Sequence, residues 1–196
     1  QGYFQSTPIQ LCLMTAQLAN GGYKIKPRII FDEEKNDLKD YSDFILKNPN
    51  ETIDTDMLIK RFNLNPLFEN QKNINIVKDA MYSSSNEPGG TSYRHRMENP
   101  KFTFAGKTGS SQIKRFTQAQ REAEVKQKDL NYKDRDHALF IAFAPYKDPK
   151  YAISVVVEHG GSGGSAAAPI AKQVIKKVIE RDHLRQKINY SKGDSV

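Results

Sequence analysis

Within six consecutive residues, Gly106-Lys107-Thr108-Gly109-Ser110-Ser111, fall an ammonium, three hydroxyls and a backbone stripped of bulk at two glycines. Glycine in a strand often marks the close approach of a ligand or another backbone. Lys107, with the hydroxyl of Thr108 or Ser110, suits a carboxylate. The backbone N–H of Ser110 suits a developing oxyanion. Lys107, Thr108, Gly109 and Ser110 are therefore the candidate site residues. Taken alone, the Lys-Thr-Gly triplet is a short pattern that arises often by chance. An edge strand whose lysine blocks aggregation is the better reading of it by itself.

Other reactive groups are sparse. Cys12 is the only cysteine, so no intramolecular disulfide and no cysteine-based metal site can form. Among Leu11, Leu13 and Met14 it reads as a small buried side chain and not a nucleophile. His95, His137, His159 and His183 lack metal-like spacing, such as two ligands four apart on one helix. No metal or cofactor is expected. His137 follows Asp136 at a strand start, where a structural role is the better reading than an ion pair.

The formal net charge is +7 and the pI about 9.3, but Lys and Arg are interleaved with Asp and Glu. That pattern fits a solvated basic surface and disfavours a nucleic-acid partner. Mean hydropathy is low at -0.69, which places polar insertions between the dense apolar stretches 9–19, 138–144 and 151–157. No apolar run approaches the length of a membrane span, so no anchor is expected within this chain.

The elements that must position the site can be read from pattern. Residues 7–22 form a helix: Thr7 and Gln10 match a capping box, Pro8 sits at the first helical position, and Asn20-Gly21-Gly22 ends it. Its residues are apolar nearly all round, which predicts burial on more than one side. Tyr23 to Lys26 alternates like a short strand. Residues 32–72 read as a polar insertion with one weak helix. A helix over 74–82 is expected to break at Ser83-Ser84-Ser85-Asn86, before the Pro88-Gly89-Gly90 turn.

Phe102 to Phe104 leads into the Lys-Thr-Gly strand, and 114–136 is a densely charged connection, for which solvated surface is the better reading than a partly helical lid beside the site. His137–Ala144 and Tyr151–Val157 read as two central strands joined by a hairpin-type turn, hence antiparallel. His159 to Gly164 reads as a flexible turn. Ala166–Ile179 reads as a helix with Ile170, Val174, Ile175, Val178 and Ile179 on one side, and the tail after Arg181 as frayed. The fold class is α+β, an antiparallel sheet flanked by helices.

With these motifs in view, the chain resembles a known family. Gln1 to Leu11, then Leu18-Ala19-Asn20-Gly21-Gly22 and Pro27, resembles the segment after the second active-site motif of class B penicillin-binding proteins. Gly89-Gly90-Thr91 resembles the turn before that family's K-T-G strand, and Gly106 to Gln112 resembles the strand itself. Asp136 to Pro145 and Glu158-His159-Gly160-Gly161 are similar to the rod-elongation subtype. The resemblance runs in order from Gln1 to about Asp182, with 32–72 unmatched and 183–196 a polar tail.

The resemblance implies a penicillin-binding D,D-transpeptidase fold of five strands, of which this chain holds the last three. It implies an S-x-x-K serine acylated by a peptidoglycan stem peptide and trapped by β-lactams. Lys107 and Thr108 are then expected to bind the terminal carboxylate and assist proton movement, with Ser110 supplying the oxyanion N–H and a hydroxyl. A SEDS-type glycosyltransferase, the elongation complex and the periplasmic face of the inner membrane are implied as partners and location. The family places S-x-x-K and S-x-N before the glutamine-glycine with which this chain begins. The chain alone is therefore expected to be inactive, and marginally stable or prone to aggregate. A non-catalytic muropeptide- or β-lactam-binding module is the alternative. Ser111-Gln112-Ile113-Lys114 and Ser84-Ser85-Asn86 match the two motifs by chance: the first continues a strand, which puts Ser111 and Lys114 on opposite faces, and the second lies in the wrong place.

Overall fold

The computed structural model describes residues 5–27, 67, 70–113, 117–118 and 126–193. The 32–72 insertion and its weak helix lie almost entirely outside these, as does most of the 114–125 part of the charged connection. The sheet is antiparallel, with order β1 (Ala105–Ser111), β2 (His137–Ala144), β3 (Tyr151–Val157). Gly106 lies opposite Ala142 and Gly109 opposite Leu139, while Phe140 lies opposite Val155. Both apolar strands have the bounds their pattern predicts. Only β2 is central, however; among the described residues β3 pairs with β2 alone and forms an edge. Its continuous apolar run reflects helices packed on both of its faces, not strands on both of its edges.

Alternation along β2 divides the core in two. Ala138, Phe140, Ala142 and Ala144 join Phe104 and one side of the C-terminal helix, and Phe104 and Phe140 meet edge to face with ring centroids 6.0 Å apart. Phe143 turns to the opposite face with Ala105, Ala19 and Met81. That second face is covered by α1 (Pro8–Ala19) and α2 (Gln71–Asn86). The Thr7–Gln10 capping box forms as the sequence predicts. Burial of α1 is narrower than its composition implies: Thr15 and Ala19 are buried, but Ile9 and Met14 are 61% and 42% exposed. Cys12 lies half-buried with its Sγ 3.5 Å from the Ala152 carbonyl, and burial pushes its pKa up. Tyr23 makes one isolated bridge and not a strand, because the Asn20 side chain holds both its N–H and its carbonyl.

The C-terminal helix, α3 (Ala168–Gly193), follows a π-helical turn over Gly163–Ala167 and runs past Arg181, where the sequence reading has it fray. Its buried stripe is Ala168, Ala171, Ile175 and Ile179, while Ile170 and Val174 are exposed. The alanines let the helix approach the sheet closely, and the stripe follows helical spacing instead of the larger aliphatics. No helix among the described residues is long and apolar enough to cross a membrane.

The largest departure from expectation is at the end of α2. The helix does not break at Ser83 but continues through Asn86. Serine and asparagine favour breaks when their side chains compete for the local backbone; here Ser85 bonds to β1, and Asn86, besides the Tyr82 carbonyl one turn back, reaches the Phe104 carbonyl just before β1. Ser85 Oγ accepts the Gly106 N–H at 3.1 Å and lies 3.2 Å from the Gly106 carbonyl and 3.0 Å from Ser92 Oγ. Asn86 Nδ2 donates to the Phe104 carbonyl at 2.8 Å. Ser85 is fully buried, so no water replaces these bonds without rearrangement. Replacing Ser85 with Ala leaves the Gly106 N–H buried and unpaired, at a cost of about 1–3 kcal/mol of stability. Denaturant unfolding measures this, and a loss under about 0.5 kcal/mol, the size of an ordinary surface change, contradicts it.

Candidate active site

β1 is an edge strand among the described residues, and its two faces carry different chemistry. Because Gly106 turns its N–H and carbonyl away from β2 toward Ser85, the antiparallel alternation turns those of Thr108 and Ser110 the same way. The side chains of Thr108 and Ser110 share one face, where they border a cleft of about 360 Å³. Thr91 and the turn Ser162-Gly163-Gly164 form its other walls. Lys107 does not line this cleft. It lies on the opposite face, exposed, and its ammonium curls round the strand edge to the Thr108 carbonyl at 3.0 Å. The structure thus brings Thr108, Gly109 and Ser110 together at the cleft and sets Lys107 beside it, at the same strand edge.

A line of hydroxyls holds Thr108 from below. Thr108 Oγ1 donates to Thr91 Oγ1 at 3.0 Å, and Thr91 Oγ1 lies 3.2 Å from Ser84 Oγ. One residue on, Ser92 repeats the arrangement with Ser85 and Gly106. The turn between the two pairs must pass close to the helix: a Cβ on Gly90 would fall 2.4 Å from the Ser84 carbonyl oxygen. Sequence reasoning missed Ser84, Ser85 and Ser92 as positioning residues, having set the Ser84-Ser85-Asn86 match aside. The available signal was the repeat of two hydroxyls at a spacing of seven across a Pro-Gly-Gly turn.

The opposite wall is not the flexible turn that its glycines imply. His159 adopts φ 54°, its N–H donates to His137 Nδ1 at 2.9 Å, and the Gly161 N–H donates to the Asp136 carbonyl at 2.8 Å. His137 and His159, distant in sequence, meet with ring centroids 4.9 Å apart as a structural pin. Asp136 is buried and bonds to Gln127 and the Ile113 N–H, so His137 takes its partner from the turn and not from its neighbour. Behind the cleft, burial holds the His95 imidazole below its ordinary pKa, partly offset by a bond to the Gly164 backbone. Gly163 lies directly over β1 and β2: a Cβ there would fall 2.3 Å from the Leu139 carbonyl oxygen and 2.6 Å from that of Gly109. These are backbone atoms that cannot swing aside. Gly163→Ala therefore lifts the turn off the strand and costs about 1–3 kcal/mol by overpacking. Unfolding measurements check this, and wild-type stability would show that the turn is not seated on β1.

The family model of the penicillin binding protein transpeptidase domain matches residues 1–176. The peptidoglycan D,D-transpeptidase MrdA of Salmonella typhimurium is 32% identical over 181 residues, covering 92% of this chain and 26% of the relative. Among solved structures, the complex between PBP2 and MreC from Helicobacter pylori aligns with a TM-score of 0.64 at 26% identity, covering 93% of this chain and 26% of that one. PBP2 of Pseudomonas aeruginosa in complex with WCK 5153 aligns with a TM-score of 0.56 at 29% identity, covering 89% and 30%. The chain thus spans about a quarter of the length of the curated relatives it matches. With its antiparallel sheet, flanking helices and Lys-Thr-Gly edge strand, the chain belongs to the penicillin-binding protein transpeptidase domain family.

Proposed function

We propose that the full-length protein is a serine-type peptidoglycan D,D-transpeptidase and that β1 is the strand that receives the donor stem peptide. The observation that carries this reading is the divided edge of β1: Gly106 is clasped by Ser85, while Thr108 and Ser110 face outward beside the cleft. A peptide can add to such an edge as a further strand, with main-chain bonds giving affinity. Its terminal carboxylate then meets the Thr108 and Ser110 hydroxyls, and its scissile carbonyl oxygen the Ser110 N–H. Lys107, at the same edge, offsets the developing negative charge and relays a proton. On this reading the acylated serine and its S-x-x-K lysine belong to the part of the relatives that this chain does not span. β1 ends at Ser111 and Gln112 and Ile113 leave the sheet, so the strand does not continue through the Ser111-Gln112-Ile113-Lys114 match as the sequence reading has it; Lys114 lies outside the described residues.

β-Lactams act on this reading as acylating substitutes for the peptide. A SEDS-type glycosyltransferase and the elongation complex are the proposed partners, at the periplasmic face of the inner membrane. The Helicobacter pylori relative solved with MreC supports an elongation-type assembly.

Acylation of the full-length protein by a fluorescent penicillin tests the assignment. Lys107→Ala should lower the second-order acylation rate by about 10²-fold or more, the scale on which loss of one group stabilising a developing charge is felt. Thr108→Val should lower it by about tenfold, with folding retained. Unchanged rates in both variants would remove β1 from the site. Saturable binding of a D-alanyl-D-alanine peptide without any acylation would instead identify a non-catalytic muropeptide-binding module.

A further inference from the structure

On the far side of Ser162 lies a second cleft, of about 310 Å³, and Ser162 lines both. It is lined by Lys126, Lys128 and Arg135, together with Gln127, Ser162 and Ser165, and none of the described lining residues is acidic. The surrounding bonds make this a built feature and not a chance meeting of surface lysines. Gln127 Nε2 donates to Asp136 Oδ2 at 2.9 Å, and Gln127 Oε1 accepts the Asp136 N–H at 2.9 Å. Arg135 Nε and Nη2 donate to the Leu130 and Lys128 carbonyls at 3.1 and 3.2 Å, folding the connection back on itself. Gly161 fits tightly against this turn, since a Cβ on it would lie 3.3 Å from Gln127 Cβ. Lys126 and Lys128 are thereby carried on either side of a residue anchored to buried Asp136. Positive charges lining one cleft raise the local concentration of anions, an effect that salt screens over roughly a Debye length, about 8 Å at physiological ionic strength.

We infer that this second cleft binds a side-chain carboxylate of the same peptide whose end occupies the β1 cleft. Lys126 and Lys128 supply the charge, and Ser162 donates its hydroxyl hydrogen, while that of Ser165 is held by the Ser162 carbonyl at 3.3 Å. The inference rests on the peptide reading of the first cleft, because the shared wall at Ser162 lets one extended ligand reach both. It adds a specificity element that the Lys-Thr-Gly strand does not contain, selecting peptides that carry a second negative charge upstream of the terminal one.

The test uses the full-length protein and two labelled peptides ending in D-alanyl-D-alanine. One has free side-chain carboxylates; the other has them amidated, with the terminal carboxylate kept. Wild-type protein should bind the free form about tenfold more tightly, with the preference shrinking as salt is raised. The double variant Lys126→Ala/Lys128→Ala should lose that preference while holding the amidated peptide as wild type does, which also reports an intact fold. Equal wild-type affinity for the two peptides, or a preference that survives the double variant, overturns the second cleft and leaves the first standing. Failure of both peptides to bind overturns the peptide reading of β1, and this inference with it.

Discussion

The bond between the Ser85 hydroxyl and the Gly106 backbone underlies the rest of the site. A strand that receives a ligand along its edge must leave that edge unpaired, and an unpaired edge invites wrong pairing and fraying. Here the edge is divided. Ser85 holds Gly106 near its start and Asn86 holds Phe104 just before it, while further on the Thr108 carbonyl meets the Lys107 ammonium and, among the described residues, the Ser110 N–H stays open. Holding one end of a short strand fixes the pleat of the remainder, so the side-chain hydroxyls and main-chain N–H groups beyond Gly106 keep their directions without a partner strand. The cost falls on α2, which must run to its last turn through Ser83-Ser84-Ser85-Asn86, residues poor at sustaining a helix.

Close backbone approach fixes the second wall. Gly163 over Gly109 and Leu139, Gly90 against the end of α2, and Gly106 against Phe140 are three places where a methyl group would meet fixed atoms or a core ring. Each brings one wall of the cleft to van der Waals distance of its neighbour, so its width is set by main chain and not by side chains that can rotate. The His137–His159 contact and the Gly161–Asp136 bond hold the turn from behind. A turn rich in glycine is thus ordered by what it touches.

Much of this was legible in the residues. Strands β2 and β3 emerged with their observed bounds because apolar runs closed by Pro, Asp and Gly leave little freedom. The Thr7–Gln10 cap did so because its bonds are local. The Lys-Thr-Gly strand and the turn before it were legible through family resemblance, which the family model bears out. What could not be read was non-local. Propensity broke α2 at a run of serines, two of which, Ser84 and Ser85, have partners across a turn and on β1. Side-chain size chose Ile170 and Val174 over the alanines that face the sheet. The separation of Lys107 from Thr108 onto opposite faces follows from strand alternation, yet its consequence appears only once the cleft is seen to lie on one of them.

A site of this kind requires the edge of β1 to be divided between a clasped half and a receptive half. Amide hydrogen exchange along residues 105–111 of the full-length protein, with and without a saturating D-alanyl-D-alanine peptide, measures this directly. The Gly106 amide should exchange slowly in both states, because Ser85 holds it. The Ser110 amide should exchange quickly when free and become protected when the peptide binds. A Ser110 amide protected without ligand, or one that saturating peptide leaves unchanged, would contradict the account.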